Sequence, residues 1–244
     1  LSIALSEAFE NAYSDDEAKF CWGTVMNHVV LHQTVIGLEA REQMHRANAS
    51  PDIIIAAVSG GSAFGGLAFP FYRERGQKTR MIAVETAASP SLSKGQYTYD
   101  YADSGGLSLI LKMYTLGHGF IQPTIRAGGM RYHGISPIVS ALHRKKESEV
   151  KAYEEQQAFE AALVFTRAEG MIPSLESSYA VKAVLDEALA CKERKERKNI
   201  LFVLDANSHL DLNTFKDLLE GSIETQPFLE ERVQAALKQL PQMK

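Results

Sequence analysis

Ile53-Ile54-Ile55-Ala56-Ala57-Val58-Ser59-Gly60-Gly61-Ser62-Ala63 is the stretch that decides the fold. Its first six residues are apolar, four of them β-branched, with no polar alternation. Such a run reads as a strand buried on both faces, as in a parallel sheet. A glycine turn ends it. Glycines there let the backbone curl until several N–H groups converge, and the helix that follows adds the partial positive charge of its N-terminus. The serine hydroxyl is one more donor. A turn of this kind can hold a phosphate without lysine or arginine; it also occurs as a plain structural turn. It is neither the dinucleotide fingerprint G-x-G-x-x-G nor a P-loop.

A helix from about Ala63 to Arg75 and a second buried strand, Arg80 to Glu85, complete a βαβ unit with a right-handed crossover. Upstream, helical periods cover Ser2 to Ala12 and His28 to Ala47. Val29, Leu31, Val35, Ile36 and Leu38 are expected on the buried side of the second. Phe20 to Val25 reads as a short strand. Downstream come a helix from about Ile135 to Lys145, a strand Val150 to Tyr153 and helices Glu155 to Ala168 and Leu175 to Cys191. A last strand, Asn199 to Leu204, precedes helices at about Thr214 to Ser222 and Phe228 to Leu240. Cys191 to Lys198 is a charge run, expected as a solvated helix end. The class is α/β with a mostly parallel sheet and flanking helices. Residues 87–134 differ: Ser, Gly and Tyr are frequent and no period persists. A loop that long in a compact domain is usually functional.

The 244 residues are 45% hydrophobic and 23% charged, with a net charge of -4. That is ordinary globular composition, and it lacks the basic face a nucleic-acid binder needs. No apolar run approaches the roughly 18 residues that would suggest a membrane span. Cys21 and Cys191 stand apart, which fits a reducing compartment, the cytoplasm or an organelle matrix, with no disulfide framework. The chain opens on Leu1 inside a helical pattern, with neither initiator Met nor signal-peptide architecture, as if it began within a domain. His28 and His32 share a helix face, but no H-E-x-x-H follows and no metal is expected. There is no G-x-S-x-G.

Three further passages can carry chemistry. Arg126-Ala127-Gly128-Gly129-Met130-Arg131-Tyr132-His133-Gly134 has the makings of a substrate-gripping lid. Glu169-Gly170-Met171-Ile172-Pro173-Ser174-Leu175-Glu176-Ser177-Ser178 presents Glu176 at a helix start, where the dipole suits a carboxylate. Asp205-Ala206-Asn207-Ser208-His209 directly follows the last strand, where α/β sheets collect their ligands.

With Leu31 to Glu39, Ala83-Val84-Glu85 and Leu116-Gly117-His118, these passages occur in one order along nearly the whole chain. In that order they resemble the C-terminal portion of tryptophan synthase β chains of the second type. The resemblance implies a fold-type II pyridoxal-phosphate scaffold whose N-terminal portion is lacking. It implies a reaction in which indole replaces the hydroxyl of L-serine to give L-tryptophan. Ser59, Gly60, Gly61, Ser62 and Ala63 would hold the cofactor phosphate, and Glu176 would lie near the ring. Asp205 would stand where the family has the serine that bonds the pyridine nitrogen. Arg131 and His133 would meet the substrate.

Three departures from the family matter. The phosphate turn of the family is Gly-Gly-Gly-Ser-Asn, and here its outer positions are Ser59 and Ala63. Asp205 replaces a serine, and Ala206-Asn207-Ser208 replaces Gly-His-Gly. The Schiff-base lysine of the family follows a histidine in the N-terminal half, and this sequence has no His-Lys pair; Lys112, in Leu109 to Met113, is not its counterpart. Two expectations follow. Either a complementary N-terminal half or another subunit supplies the lysine, or the chain is a degenerate, non-catalytic subunit of a larger complex. Both leave half of a two-layer core open, so a partner chain and an oligomer are expected.

Overall fold

The computed structural model describes residues 1–72, 79–206, 208–221 and 227–242. Its centre is a four-stranded parallel sheet. In chain order the strands are β1 (Ile53–Ala57), β2 (Arg80–Thr86), β5 (Glu149–Tyr153) and β6 (Ile200–Phe202), and across the sheet they run β5-β2-β1-β6. β1 lies inside the sheet and all five of its residues are buried. Alternate residues serve opposite faces. Ile53, Ile55 and Ala57 pack with Ala158, Phe159, Tyr179 and Ala183, which belong to α6 (Glu155–Glu169) and α7 (Leu175–Arg194). Ile54, Ala56 and Val58 pack with Phe64, Leu67 and Ala68 of α3 (Ser62–Tyr72) and with Val139 and Leu142 of α5 (Pro137–Arg144). The unalternated apolar run is thus the signature of two cores sharing one strand.

α2 (Asn27–Arg46) covers α3 but not with the face expected for it. Leu31, Val35, Ile36 and Leu38 are 68%, 54%, 37% and 45% exposed; Val29, Val30 and Gly37 are buried. Close approach of the backbones decides the face. A Cβ at Gly37 would lie 2.5 Å from the carbonyl oxygens of Gly66 and Leu67, and one at Gly65 would lie 2.5 Å from Val30 Cγ1. The two helices meet glycine to backbone, and the larger apolar residues of α2 are turned away.

Two further expectations change. Phe20 to Val25 is not a strand. Its rings pack instead on α1 (Ser2–Ser14), with Phe20 and Trp22 centroids 4.2 and 5.2 Å from that of Phe9. The irregular segment 87–134 holds the short helix α4 (Ser91–Lys94) and an antiparallel hairpin, β3 (Gln96–Tyr101) with β4 (Ile110–Thr115). Tyr97, Tyr99 and Tyr101 face Tyr114, Lys112 and Ile110 across it. Lys112 Nζ sits 4.3 Å above the Tyr99 ring, which is where the one lysine in an apolar setting goes. Helix α9 (Glu230–Leu237) falls within its expected span, while α8 (Leu212–Leu219) begins two residues before the expected Thr214; Ser222 lies outside the described residues, as do Arg73 to Arg75 at the end of the expected third helix. Among the described residues no helix is long and apolar enough to cross a membrane.

Glu85, at the end of β2, gives the fold a pH dependence. Its carboxylate, 1% exposed, accepts the N–H of Leu92 at 2.8 Å and of Ser93 at 3.1 Å, and caps α4. Burial pushes the carboxyl up to about 7 in spite of those donors. The folded state therefore holds the proton more tightly than the unfolded chain from about pH 4.5 to 7, and stability falls as pH rises through that window. The contribution is of order 3 kcal/mol. Glu187 does not overlap it: burial raises its carboxyl, but Arg80 and Lys151 outweigh burial and hold it at about 2, so its contribution is lost only as pH falls below about 4.5. Burial lowers the His133 and His143 pKa values, an effect of opposite sign in the same window, so urea unfolding at pH 5 and pH 8 is expected to show the Glu85 effect as a drop in the native protein relative to Glu85→Gln. An unchanged drop in the variant would assign it elsewhere.

Candidate functional site

Beyond the carboxyl ends of β1 and β6 lies a cavity of about 390 Å³. Ser59, Gly60, Gly61, Ser62, Ala63, Glu176 and Asp205 all line it, joined by Leu1, Leu5, Gly23, Thr24, Ala57, Gly129, Met130 and Ala206. The seven residues expected at a cofactor from three separate passages thus meet in one place. The sheet explains why. β1 and β6 run side by side with Ile55 opposite Phe202, so the turn after β1 and Asp205 after β6 emerge together.

The turn is built for close approach. Gly61 has φ 98°, in the left-handed region, and a Cβ there would lie 3.1 Å from Ser136 Oγ and 3.2 Å from Val139 Cγ2. A Cβ at Gly60 would collide with the Thr24 hydroxyl. Ser59 takes no positive φ, so a serine is tolerated at the first position. The Gly60 carbonyl accepts from Ser136 N–H at 2.8 Å, which ties the turn to the start of α5. The first N–H groups of α3 have no acceptor four residues back and point out of the helix. Ser59 Oγ is buried without a hydrogen-bond partner among the described residues, as is Ser136 Oγ. A buried hydroxyl left unpaired costs free energy, and a ligand oxygen is one way to satisfy it.

Two carboxylates share the lining with the turn. Glu176, in the first turn of α7, accepts Gly129 N–H at 2.8 Å through Oε1. Asp205 Oδ1 accepts the Ser177 hydroxyl at 2.7 Å, and Asp205 N–H donates back to Ser177 Oγ at 2.8 Å. Ala206 follows with φ 61°, strained for a residue with a side chain. Among the described residues, no Lys, Arg or His side chain lines the cavity, and no group of three or more His, Cys, Asp or Glu residues could hold a metal ion.

The expected lid is tied down in this structure. Glu155 accepts the N–H groups of Arg126 and Ala127, and Gly134 bridges to Thr115. His133 corrects its assignment. It is fully buried away from the cavity, with Nδ1 2.7 Å from Ser2 Oγ and Nε2 2.8 Å from Tyr101 O. Both ring nitrogens are engaged in the core, so it cannot grip substrate there. Burial lowers its pKa, against the pull of the nearby Asp100 carboxylate. Arg131 does not line the cavity either, though it adjoins Met130, which does; its buried Nε has no hydrogen-bond partner among the described residues. Sequence reasoning missed Thr24 and Ser136, which carry no local signal, and Ser177, visible only as one serine in a run.

Comparison with known proteins agrees with this geometry. Residues 6–205 match the family described as pyridoxal-phosphate dependent enzyme. The tryptophan synthase beta chain 2 of Aquifex aeolicus is 49% identical over 229 residues, covering 91% of this chain and 53% of the relative. The tryptophan synthase beta chain of Thermococcus onnurineus is 48% identical over 227 residues, covering 92% and 51%. The chain thus spans about half the length of the curated relatives it matches. Among solved structures, O-acetyl serine sulfhydrylase isoform 3 from Entamoeba histolytica aligns with TM-score 0.62 at 20% identity, over 96% of this chain and 58% of that one. The processed threonine deaminase isoform 2 from Solanum lycopersicum gives 0.62 at 17%, over 87% and 56%. These two establish shared architecture, a fold-type II scaffold. The chain belongs to the pyridoxal-phosphate dependent enzymes, and the sequences it resembles over nearly all its length are tryptophan synthase β chains.

Proposed function

We propose that this chain is one half of a tryptophan synthase β-type site. It contributes the phosphate turn and the closing segment to the condensation of indole with L-serine, while a complementary N-terminal half or partner chain supplies the Schiff-base lysine. The observation that carries this reading is the single cavity that gathers Ser59 to Ala63, Glu176 and Asp205. The residues fit pyridoxal phosphate: an outward-pointing set of amides, an unpaired Ser59 hydroxyl and glycines whose Cβ would close the cradle.

Bound there, pyridoxal phosphate supplies an electron sink for bonds at the α-carbon of an amino acid. This chain's part is to bind and orient. Gly60, Gly61, Ser62 and Ala63 would hold the phosphate through backbone N–H groups, with the Ser59 hydroxyl as a further donor. Glu176 fixes Gly129 and so holds the closing segment against the ring. Asp205 would face the ring nitrogen. Arg131, one residue from the lining, would meet the carboxylate of the bound amino acid. The exposed Leu31, Val35 and Leu38 support a further chain or copy on α2. The free thiols of Cys21 and Cys191 support a reducing compartment, the cytoplasm or an organelle matrix.

The completed protein is expected to be yellow, to bleach with borohydride and to form tryptophan from serine and indole. The rival reading, a β-like subunit kept for its surface, draws on the strained Ala206 at the mouth of the cavity. A colourless protein without affinity for the cofactor would support that rival.

A further inference from the structure

Charge is distributed unevenly over the cavity. At one end the N-terminus of α3 and the glycine turn favour an anion. Elsewhere in the lining, the only ionisable side chains are the carboxylates of Glu176 and Asp205, with no cationic side chain among the described residues to neutralise them. Neighbouring strands lie about 4.8 Å apart. A phosphate held on the turn after β1 would leave the ring it carries room to lie near Asp205, which follows β6 and lines the same cavity. Glu176 is engaged with the Gly129 amide. Asp205 Oδ2 has no partner among the described residues, while Oδ1 is fixed by Ser177.

Ser177 is suited to aim a carboxylate. It is fully buried. A hydroxyl has one proton and two lone pairs, and here each has a use. The proton lies between Asp205 Oδ1 at 2.7 Å and the Asp205 carbonyl oxygen at 3.0 Å, the carboxylate being the nearer; the lone pairs accept Asp205 N–H at 2.8 Å and the Ser174 hydroxyl at 3.0 Å. Ser174 is itself the N-cap of α7, accepting Ser177 N–H at 3.0 Å. The backbone and the side chain of Asp205 are thus held by one atom, anchored to a helix end.

We infer that Ser177 is a positioning residue that holds the Asp205 carboxylate against the ring nitrogen of the cofactor, so that the cavity takes the phosphorylated pyridine as its cation. This rests on the cofactor reading above and adds the charge state of the ligand and the residue that enforces it. The physical reason is that a carboxylate within a few ångströms favours the protonated form of a basic nitrogen, and charge near a cofactor's ring nitrogen tunes its electronics.

The test uses the protein as isolated, stripped of cofactor and loaded with pyridoxamine 5′-phosphate carrying nitrogen-15 in the ring. This probe forms no bond to a lysine, so it reports only how the cavity treats it. The nitrogen chemical shift, followed against pH, gives the midpoint of ring protonation. In the native protein the midpoint is expected to lie at least about 1 pH unit above that of Asp205→Asn. Ser177→Ala is expected to lie between the two, and Ser177→Thr to restore the native value. Ser177→Cys, which nearly keeps the volume without a strong donor, should behave like Ser177→Ala and guards against a loss of packing. Displacement by inorganic phosphate reports separately that the turn is intact. Equal midpoints in the native protein and Asp205→Asn would overturn the inference while leaving the cofactor reading standing. A shift in Asp205→Asn with none in either Ser177→Ala or Ser177→Cys would overturn the positioning role of Ser177. Failure of the native protein to bind the probe at all would overturn the cofactor reading and the inference with it.

Discussion

Replacing Gly37 by valine is expected to destabilise the protein by about 3 kcal/mol, because a side chain there has no room and the obstacle is backbone. Its Cβ would meet the carbonyl oxygens of Gly66 and Leu67 at 2.5 Å and Pro70 Cγ at 2.7 Å. A flexible side chain could swing aside, but α3 cannot, since it is pressed between α2 and the sheet through Phe64, Leu67 and Ala68. The helices must part, and the core under them loosens. Leu38→Ser, one residue along α2 on its exposed side, should change stability by less than about 0.5 kcal/mol in the isolated chain. Urea unfolding of the two variants checks the assignment of faces. A tolerated valine together with a damaging serine would mean that α2 packs the way its apolar pattern suggests.

Gly61→Val is expected to weaken cofactor binding by roughly 10- to 100-fold, equivalent to losing about one hydrogen bond to a charged group. Two causes act together. Gly61 sits at φ 98°, where a side chain strains the backbone, and the new methyls would press on Ser136 and Val139. The turn can relieve this only by rotating its peptides, which redirects the N–H groups that face the phosphate. Fluorescence titration of the stripped protein with pyridoxal phosphate measures the loss. Affinity unchanged in a folded variant would mean that the turn is structural and the phosphate, if bound, is held elsewhere.

The parts of the fold legible in the sequence are those written in local chemistry. The run Ile53 to Val58 needed only its lack of alternation to be read as the inner strand, and the cavity residues were legible because turns after strands and helix starts have local signatures. The facing of α2 was not, because it depends on Gly65 and Gly66 of another helix: an apolar stripe marks a surface that wants covering, not the element that covers it. The hairpin in residues 87–134 escaped for a similar reason. Its strands bury only Asp100, Met113 and Thr115, too few and too mixed in chemistry to leave a pattern against exposed Tyr99 and Ile110. His133 looked like a gripping residue because histidine beside glycine and arginine suits a lid. Its burial is decided by Ser2 and Tyr101, distant positions with no motif of their own. Ser177 was hidden by its neighbours, since a helix start rich in serine gives no sign which hydroxyl reaches across to Asp205.

The claim at the centre of this account is that the chain completes a cofactor site without owning its lysine, and one measurement meets it directly. The yellow protein, isolated from its source with whatever chain accompanies it, is reduced with borohydride, digested and mapped by mass spectrometry for the lysine that carries the pyridoxyl phosphate. A single labelled lysine is expected, following a histidine, in sequence outside the 244 residues of this chain. A label on any lysine within these residues, Lys112 included, would contradict it.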